Sequence, residues 1–481
     1  MSTSVIKNAS FIIGWDAQNQ RHTYMPDADL AFEGNRITFV GRGYEASAGQ
    51  AVEQIDGKGM MIMPGLVNIH SHPASEPLNK GYTDEIGSAG LYNSALYEIM
   101  PLVRGDAQGT PDCLRLALSE LLLSGVTTLV DMSGAHPQWV DIMAQSGIRG
   151  CIAPMFKSAR WFTRNGHLVE YEWDEKGGEK GMEAALKIID EVQRHPSGRL
   201  FGLVSPSQVD TCTPELIKAS REEAARRGLS WQIHAAQSVP EFHEMTRRHG
   251  VTPIQWLHSL GVLRPQSIVG HGIFLDHHPR THWSTDKDLA ILAETGTTVA
   301  HCPTIFMRRG MALRDFGRYR RAGVNMGIGT DSYPHNIMDE MRHVAYLARV
   351  MADNPRTLTT TDVFDAATVG GARALGREDI GRLAVGAKAD VVMVDMTHPM
   401  MSPYRDPVRS LIYAAGDRAI HTVYVDGRKV VDAGKLLTID RAAAAAAVHE
   451  AQQRAAERVP ELDLVAHRSI SQVSPLTFPL A

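Results

Sequence analysis

Two histidines separated by one residue open the case for chemistry in this chain. They stand in Asn68-Ile69-His70-Ser71-His72, directly after the apolar run MIMPGLV. In an extended strand, alternate residues share a face, so Asn68, His70 and His72 point the same way and the two imidazoles can share one cation. An HxH pair alone is weak evidence. Further groups strengthen it: His234, His271, His301 and Asp331 each close a later apolar run. If those runs are neighbouring strands of one sheet, the groups converge. Three imidazoles and a carboxylate suit zinc or a similar borderline divalent ion, and they leave a position open for water, whose pKa then falls to about 7.

The elements that must position these groups can be traced along the chain. Eight strand candidates lie at 61–70, 127–133, 149–155, 200–207, 230–237, 267–274, 297–304 and 325–332. Amphipathic stretches such as TPDCLRLALSELLLSG, GMEAALKIIDEVQRH and TPELIKASREEAARRG lie between most of them. Alternating strands and helices predict an α/β fold with a parallel sheet, and eight repeats predict a (β/α)8 TIM-like barrel over 61–379. Barrel enzymes assemble their sites at the C-terminal strand ends, where the candidate residues fall. The short β-rich runs of 1–60 and 380–436 predict a small composite β-sandwich formed by the two ends of the chain. Residues 437–481 read as a C-terminal helix and tail, because RAAAAAAVHEAQQRAAERV is a strong helix former. Two insertions, 73–105 and 157–180, would sit over the mouth of the barrel. Their aromatic residues Tyr82, Tyr92, Tyr97, Trp161, Phe162 and Trp173 could wall a substrate pocket.

Composition narrows the function class. The 481 residues are 43% hydrophobic and 21% charged, ordinary for a globular protein with a large core. The net charge of -5 comes from 49 basic and 54 acidic residues with no basic block, so nucleic acid is not an expected partner. No run approaches 18 apolar residues, and the N-terminus lacks the pattern of an export signal, so no membrane partner is expected either. The four cysteines are far apart, with no CxxC pair, which fits a reducing, cytoplasmic setting.

PGLVNIHSH, the HAA after the fifth strand, VGH, AHCP and GTDS together resemble the metal-dependent amidohydrolase superfamily, over about residues 55–430. The segment GRLAVGAKADVVMVD is similar to that family's return into its small domain. The resemblance implies that His70, His72, His234 and Asp331 ligate one divalent metal per chain, zinc first, with iron, manganese and cobalt as alternatives. It implies that Asp331 also accepts a proton from water, that His271 orients the water or polarises the substrate, and that His301 faces the substrate. Asn68, Ser207 and Gln237 join His301 as expected substrate-binding residues. The expected partners are a small-molecule substrate and further copies of the chain in a homo-oligomer.

Departures from the family pattern bear on the substrate. Many deaminases of the superfamily carry a glutamate three residues after the strand-5 histidine; here that residue is Gln237, which can neither give nor take a proton. Where those deaminases carry PHAP at the end of strand 4, this chain has Pro206-Ser207-Gln208-Val209. LFGLVSPS contains no lysine to bridge a second metal. Without the glutamate, attack on an acyl carbon is the first expectation: hydrolysis of a urea, carbamate, anilide or thiocarbamate. HSHPASEPLNKGYTDE and TDSYPHNIMDEMR resemble the phenylurea and thiocarbamate hydrolases of the superfamily. Deamination or dechlorination of a nitrogen heterocycle is the alternative. His277, His278 and His282 fall in a polar loop after the sixth strand and read first as ordinary loop residues, with a second metal site there as the less favoured alternative. Glu340 reads as an acid at a helix start, and Cys302 as a buried small residue.

Overall fold

In the computed structural model, residues 3–463 and 466–480 are described. Eight short strands carry the candidate site: β1 (Leu66–Ser71), β2 (Val126–Asp131), β3 (Arg149–Ile152), β4 (Phe201–Gly202), β5 (Trp231–Ala235), β6 (Ser267–His271), β7 (Thr298–His301) and β8 (Asn325–Ile328). β1 to β4 pair in parallel in chain order, and so do β5 to β8. Parallel bridges Val204↔Trp231 and Gln208↔His234 join the end of the first set to β5. At the other margin, Ser71↔Asp331 is also a parallel bridge, with Asp331 N–H donating to His70 O and His72 N–H to Asp331 O.

Alternation along the strands decides which side each residue serves. Val67, Ile69, Val130, Cys151, Leu203, Ile268 and Ala300 share one apolar cluster. Their strand neighbours Leu66, Leu129, Ile152, Val204, Val269 and Val299 belong to the larger cluster, which includes helix residues such as Leu118, Ile189 and Ile217. Both faces are buried, as expected for parallel strands between helices, and each fully buried aliphatic side chain contributes about 1.5–3 kcal/mol.

The two ends of the chain meet in one sheet. Met60–Pro64 pairs antiparallel with Val391–Asp395, in a nine-stranded sheet drawn from 3–64 and 391–436, eight strands in one path and Val52–Asp56 branching from Thr3–Asp16. The pairing branches at Thr3–Asp16. A register shift between Ile6 and Ala9 explains it, because Thr3–Asp16 pairs with Val52–Asp56 before the shift and contacts Met60–Pro64 after it. Arg149, 1% exposed, locks this sheet to β3 through a two-pronged contact with Asp390 at 2.9 Å and 2.9 Å and a third bond to Asp426 at 2.8 Å.

The insertions are more ordered than sequence suggests. The second contains a hairpin, Ala159–Phe162 with Glu170–Trp173, and the following helix begins at Glu175, six residues before the predicted start. Asp174 accounts for that early start by accepting from Gly177 N–H as its cap. The C-terminal helix Arg441–Glu457 lays Ala444, Val448 and Ala451 on Leu78, Cys113 and Leu116, so the tail packs on the first insertion of its own chain. Among the described residues, no helix is long and apolar enough to cross a membrane.

Candidate metal centre

Each of the three predicted histidine ligands is held by its inner ring nitrogen. His70 Nδ1 lies 2.5 Å from Gln232 Oε1, His72 Nδ1 2.5 Å from Met132 O, and His234 Nδ1 2.6 Å from Ser207 O. These acceptors require a proton on Nδ1, which leaves the lone pair on Nε2 in all three. The Nε2 atoms then converge. His70 Nε2 and His72 Nε2 lie 3.4 Å and 3.2 Å from Asp331 Oδ1, and His234 Nε2 is 3.2 Å from His72 Nε2. Two lone pairs at that distance repel unless something positive sits between them, and His70 Nε2 is buried without a hydrogen-bond partner. The donor set fits one divalent cation.

Charge behaves accordingly. Burial opposes a charge on His72, yet the adjacent Asp331 carboxylate lifts its pKa to about 9. Burial would raise Asp331, but the His70 and His72 rings against its carboxylate and the nearby His271 hold it well below the usual carboxylate range. His234, buried among His70, His72 and His271, is pushed well below an ordinary imidazole. A cation would take the place of the proton these groups compete for.

His271 joins the cluster, its ring centroid 4.7 Å from His70 and 5.4 Å from His234. Burial drives its pKa down to about 3, so the ring is neutral; its Nδ1 has no partner. His301 is also buried, neutral by the same cause, and carries an unpartnered Nδ1. His271 and Asp331 have left-handed backbones, with φ of 79° and 57°. Such strain costs about 1–3 kcal/mol per residue and concentrates at functional sites. Two glycines make room for the His70 ring: a Cβ on Gly270 would stand 2.9 Å from His70 Cε1, and one on Gly329 2.6 Å from His70 Cβ and O.

Three of the residues singled out have partners within the fold. Asn68 is fully buried and engaged inside the strands: its Nδ2 donates to Thr330 Oγ1, while its Oδ1 accepts from the His70 and Thr330 amides. It ties β1 to Thr330, just past β8. The Ser207 carbonyl orients His234. Glu340 is more than a helix-start acid, being 1% exposed with Oε2 accepting from Thr304 N–H at 3.1 Å, and burial pushes it up to about 8. Gln237 lies buried at the end of β5 with its Nε2 unpartnered, and its amide donates to Glu241 Oε2.

Of the aromatic wall, Tyr97 and Trp161 meet edge to face at 5.4 Å. The Tyr97 hydroxyl lies 2.7 Å from Ser238 Oγ, one residue beyond Gln237. Tyr92 and Trp173 are 47% and 43% exposed, so they do not line a closed pocket. Sequence reasoning missed Gln232, Asp210 and Glu241. Gln232 alternates with His234 on β5, which is the one signal that could have found it.

The sequence profile of the amidohydrolase family matches residues 61–430. A 5-methylthioadenosine/S-adenosylhomocysteine deaminase of Natronomonas pharaonis is 32% identical, covering 84% of this chain and 88% of its own length. Among solved structures, an adenosine deaminase from Xanthomonas campestris with bound zinc superposes with a TM-score of 0.80 at 23% identity, over 94% of this chain and 98% of its own. A triazine hydrolase from Arthrobacter aurescens gives 0.77 at 22%, over 94% and 100%.

Proposed function

The chain belongs to the amidohydrolase family, a metal-dependent hydrolase of carbon-nitrogen bonds other than peptide bonds, and from that premise we propose that it deaminates an amino-substituted nitrogen heterocycle of the 6-aminopurine type. The observation that carries the reading is the near full-length relationship to a deaminase of adenosine-type nucleosides. It favours the heterocycle over the ureas and carbamates suggested by Gln237. The parallel bridges at both margins of the strand set support a closed (β/α)8 barrel over 61–379, with 1–60 and 380–436 as the companion unit and 437–481 as an appended helix and tail.

His70, His72, His234 and Asp331 would hold one divalent ion, with zinc favoured by the zinc in the related deaminase structure. When bound, the ion supplies Lewis acidity that makes water a nucleophile at neutral pH. The chain's own groups do the rest. Asp331 Oδ accepts a proton from the attacking water and returns it to the departing amine. His271, neutral and with a free ring nitrogen, hydrogen bonds the oxygen as charge develops on it. Gln237 Nε2 donates to the ring nitrogen beside the attacked carbon, stabilising negative charge there without transferring a proton. The balance is one C–N bond broken, one C–O bond formed, and ammonia released.

Gln237 keeps a second reading in view, hydrolysis of an N-aryl urea or carbamate, because an acyl oxygen needs no ring protonation. The test is ammonia release from methylthioadenosine, adenosine and an aminotriazine by metal-loaded protein. Equal amounts of ammonia and oxo-product are expected, with none from His234→Ala. Ammonia release that persists in metal-stripped His234→Ala overturns the assignment.

A further inference from the structure

The loop after β6 carries a second group of metal-type donors, separate from the site above. Asp276, 2% exposed, commits one carboxylate oxygen to the loop: Oδ2 accepts from Thr285 Oγ1 at 2.8 Å, Lys287 N–H at 2.6 Å, Asp288 N–H at 3.3 Å and Gln255 Nε2 at 3.4 Å. Its other oxygen, Oδ1, is buried and accepts nothing from the described residues. Across from Oδ1, 3.8 Å away, is Nδ1 of His277, whose side chain is only 10% exposed and whose Nδ1 also has no partner. Beyond it, Asp286 Oδ1 lies 4.0 Å from the same nitrogen. The three ligand atoms all lie within 4.8 Å of one another.

Those separations are too long for hydrogen bonds. They match the spacing of neighbouring ligands on one ion, because atoms each about 2.0–2.2 Å from a metal stand roughly 3–4 Å apart. A buried oxygen and a buried ring nitrogen left unpaired and facing one another are costly unless something fills the gap. We infer that Asp276, His277 and Asp286 form a second divalent-cation site that clamps the 276–288 loop behind the end of β6. Two carboxylates and an imidazole select a borderline ion such as zinc, manganese or cobalt over calcium or magnesium, with water completing the shell.

Arg318 is the competitor. Its Nη2 lies 3.2 Å from Asp286 Oδ1 and 3.5 Å from Oδ2, but the contact is exposed on both sides and well screened. Asp286 can turn Oδ1 to an ion and keep Oδ2 for Arg318. The site also touches the metal centre indirectly, since Tyr319 stands edge-on to the His277 ring at 6.4 Å and donates its hydroxyl to the carbonyl of Gly272, next to His271.

The inference is independent of the substrate. Protein holding its catalytic ion is dialysed against micromolar zinc and, separately, manganese, and bound metal is counted by elemental analysis. Wild type should take up one further equivalent. Asp286→Asn, an exposed and conservative change, should bind that equivalent at least tenfold more weakly, and His277→Ala should lose it, both keeping the catalytic ion. Zinc should slow tryptic cleavage at Arg280 and Lys287 in wild type only. Failure of wild type to bind a second equivalent overturns the site. So does a second equivalent that survives in both variants, which would be ordinary surface binding.

Discussion

Removing the Asp210 carboxylate should loosen the hairpin formed by Ala159–Phe162 and Glu170–Trp173. Asp210 is fully buried at the end of the β4 segment, two residues past Gln208, which bridges to His234. Its Oδ2 accepts from Trp161 Nε1 at 2.9 Å and from the Tyr171 hydroxyl at 2.8 Å, one donor from each strand of the hairpin. Arg248 adds a partial clamp, its guanidinium 4.3 Å from the Tyr171 ring centre and bonded to the Asp210 carbonyl. In Asp210→Ala both donors lose their acceptor, at about 1–3 kcal/mol each. Arg248 offsets part of that, leaving about 2–4 kcal/mol against the closed hairpin. At 1.4 kcal/mol per decade, the open population rises roughly 30- to 1000-fold. Trypsin reads this directly, since Arg164 lies in the hairpin turn with its side chain 71% exposed. Nicking after Arg164 should be at least tenfold faster in Asp210→Ala and intermediate in Asp210→Asn, which keeps one acceptor oxygen. KM should rise while metal content stays the same. A nicking rate within twofold of wild type would refute the tether.

Gln232→Leu removes the acceptor that fixes the His70 tautomer, and metal affinity, read by competition with a chelator, should fall about 10- to 100-fold; unchanged affinity would mean His70 is oriented by something else. Arg149→Met leaves Asp390 buried without its guanidinium, so urea unfolding should show a loss of about 3–5 kcal/mol, and a loss under about 1 kcal/mol would contradict the role given to that lock. Glu120 supplies a pH-dependent term: burial raises it, but His335 and Lys80 bring it from 4.5 down to about 2. A carboxyl depressed in the folded state stabilises above its unfolded pKa, so about 3 kcal/mol should be present above pH 4.5 and lost as pH falls towards 2. Stability measured against Glu120→Gln should converge with wild type over that window; a constant gap would exclude the ionised pair as its source.

Much of the centre was legible because strand period and position carry it. His70 and His72 on one face, and His234, His271 and Asp331 at the ends of β5, β6 and β8, are brought together as their spacing requires. What escaped is long-range. Asn68 looks like His70 in the pattern, yet the Thr330 it meets is 262 residues away, and only that contact shows its side chain already engaged. Glu340 was read by its place on a helix, but its burial follows from where that helix lands against Thr304. The hairpin at 159–173 carries a local signal, Asn165-Gly166 between Trp161-Phe162 and Tyr171-Trp173, that the reading of this stretch as a loop passed over, while its anchor Asp210 lies about 40 residues downstream. Gln237 carried more weight in the substrate argument than one absent carboxyl can bear, since an unpartnered Nε2 still offers a donor to a ring nitrogen.

The most direct test sets methylthioadenosine against an N-aryl carbamate on one preparation of metal-loaded protein, with ammonia and the released arylamine followed side by side. The account predicts ammonia from the nucleoside with a kcat/KM at least a hundredfold above that for the carbamate. Arylamine release with no ammonia from any 6-aminopurine nucleoside or aminotriazine would contradict it.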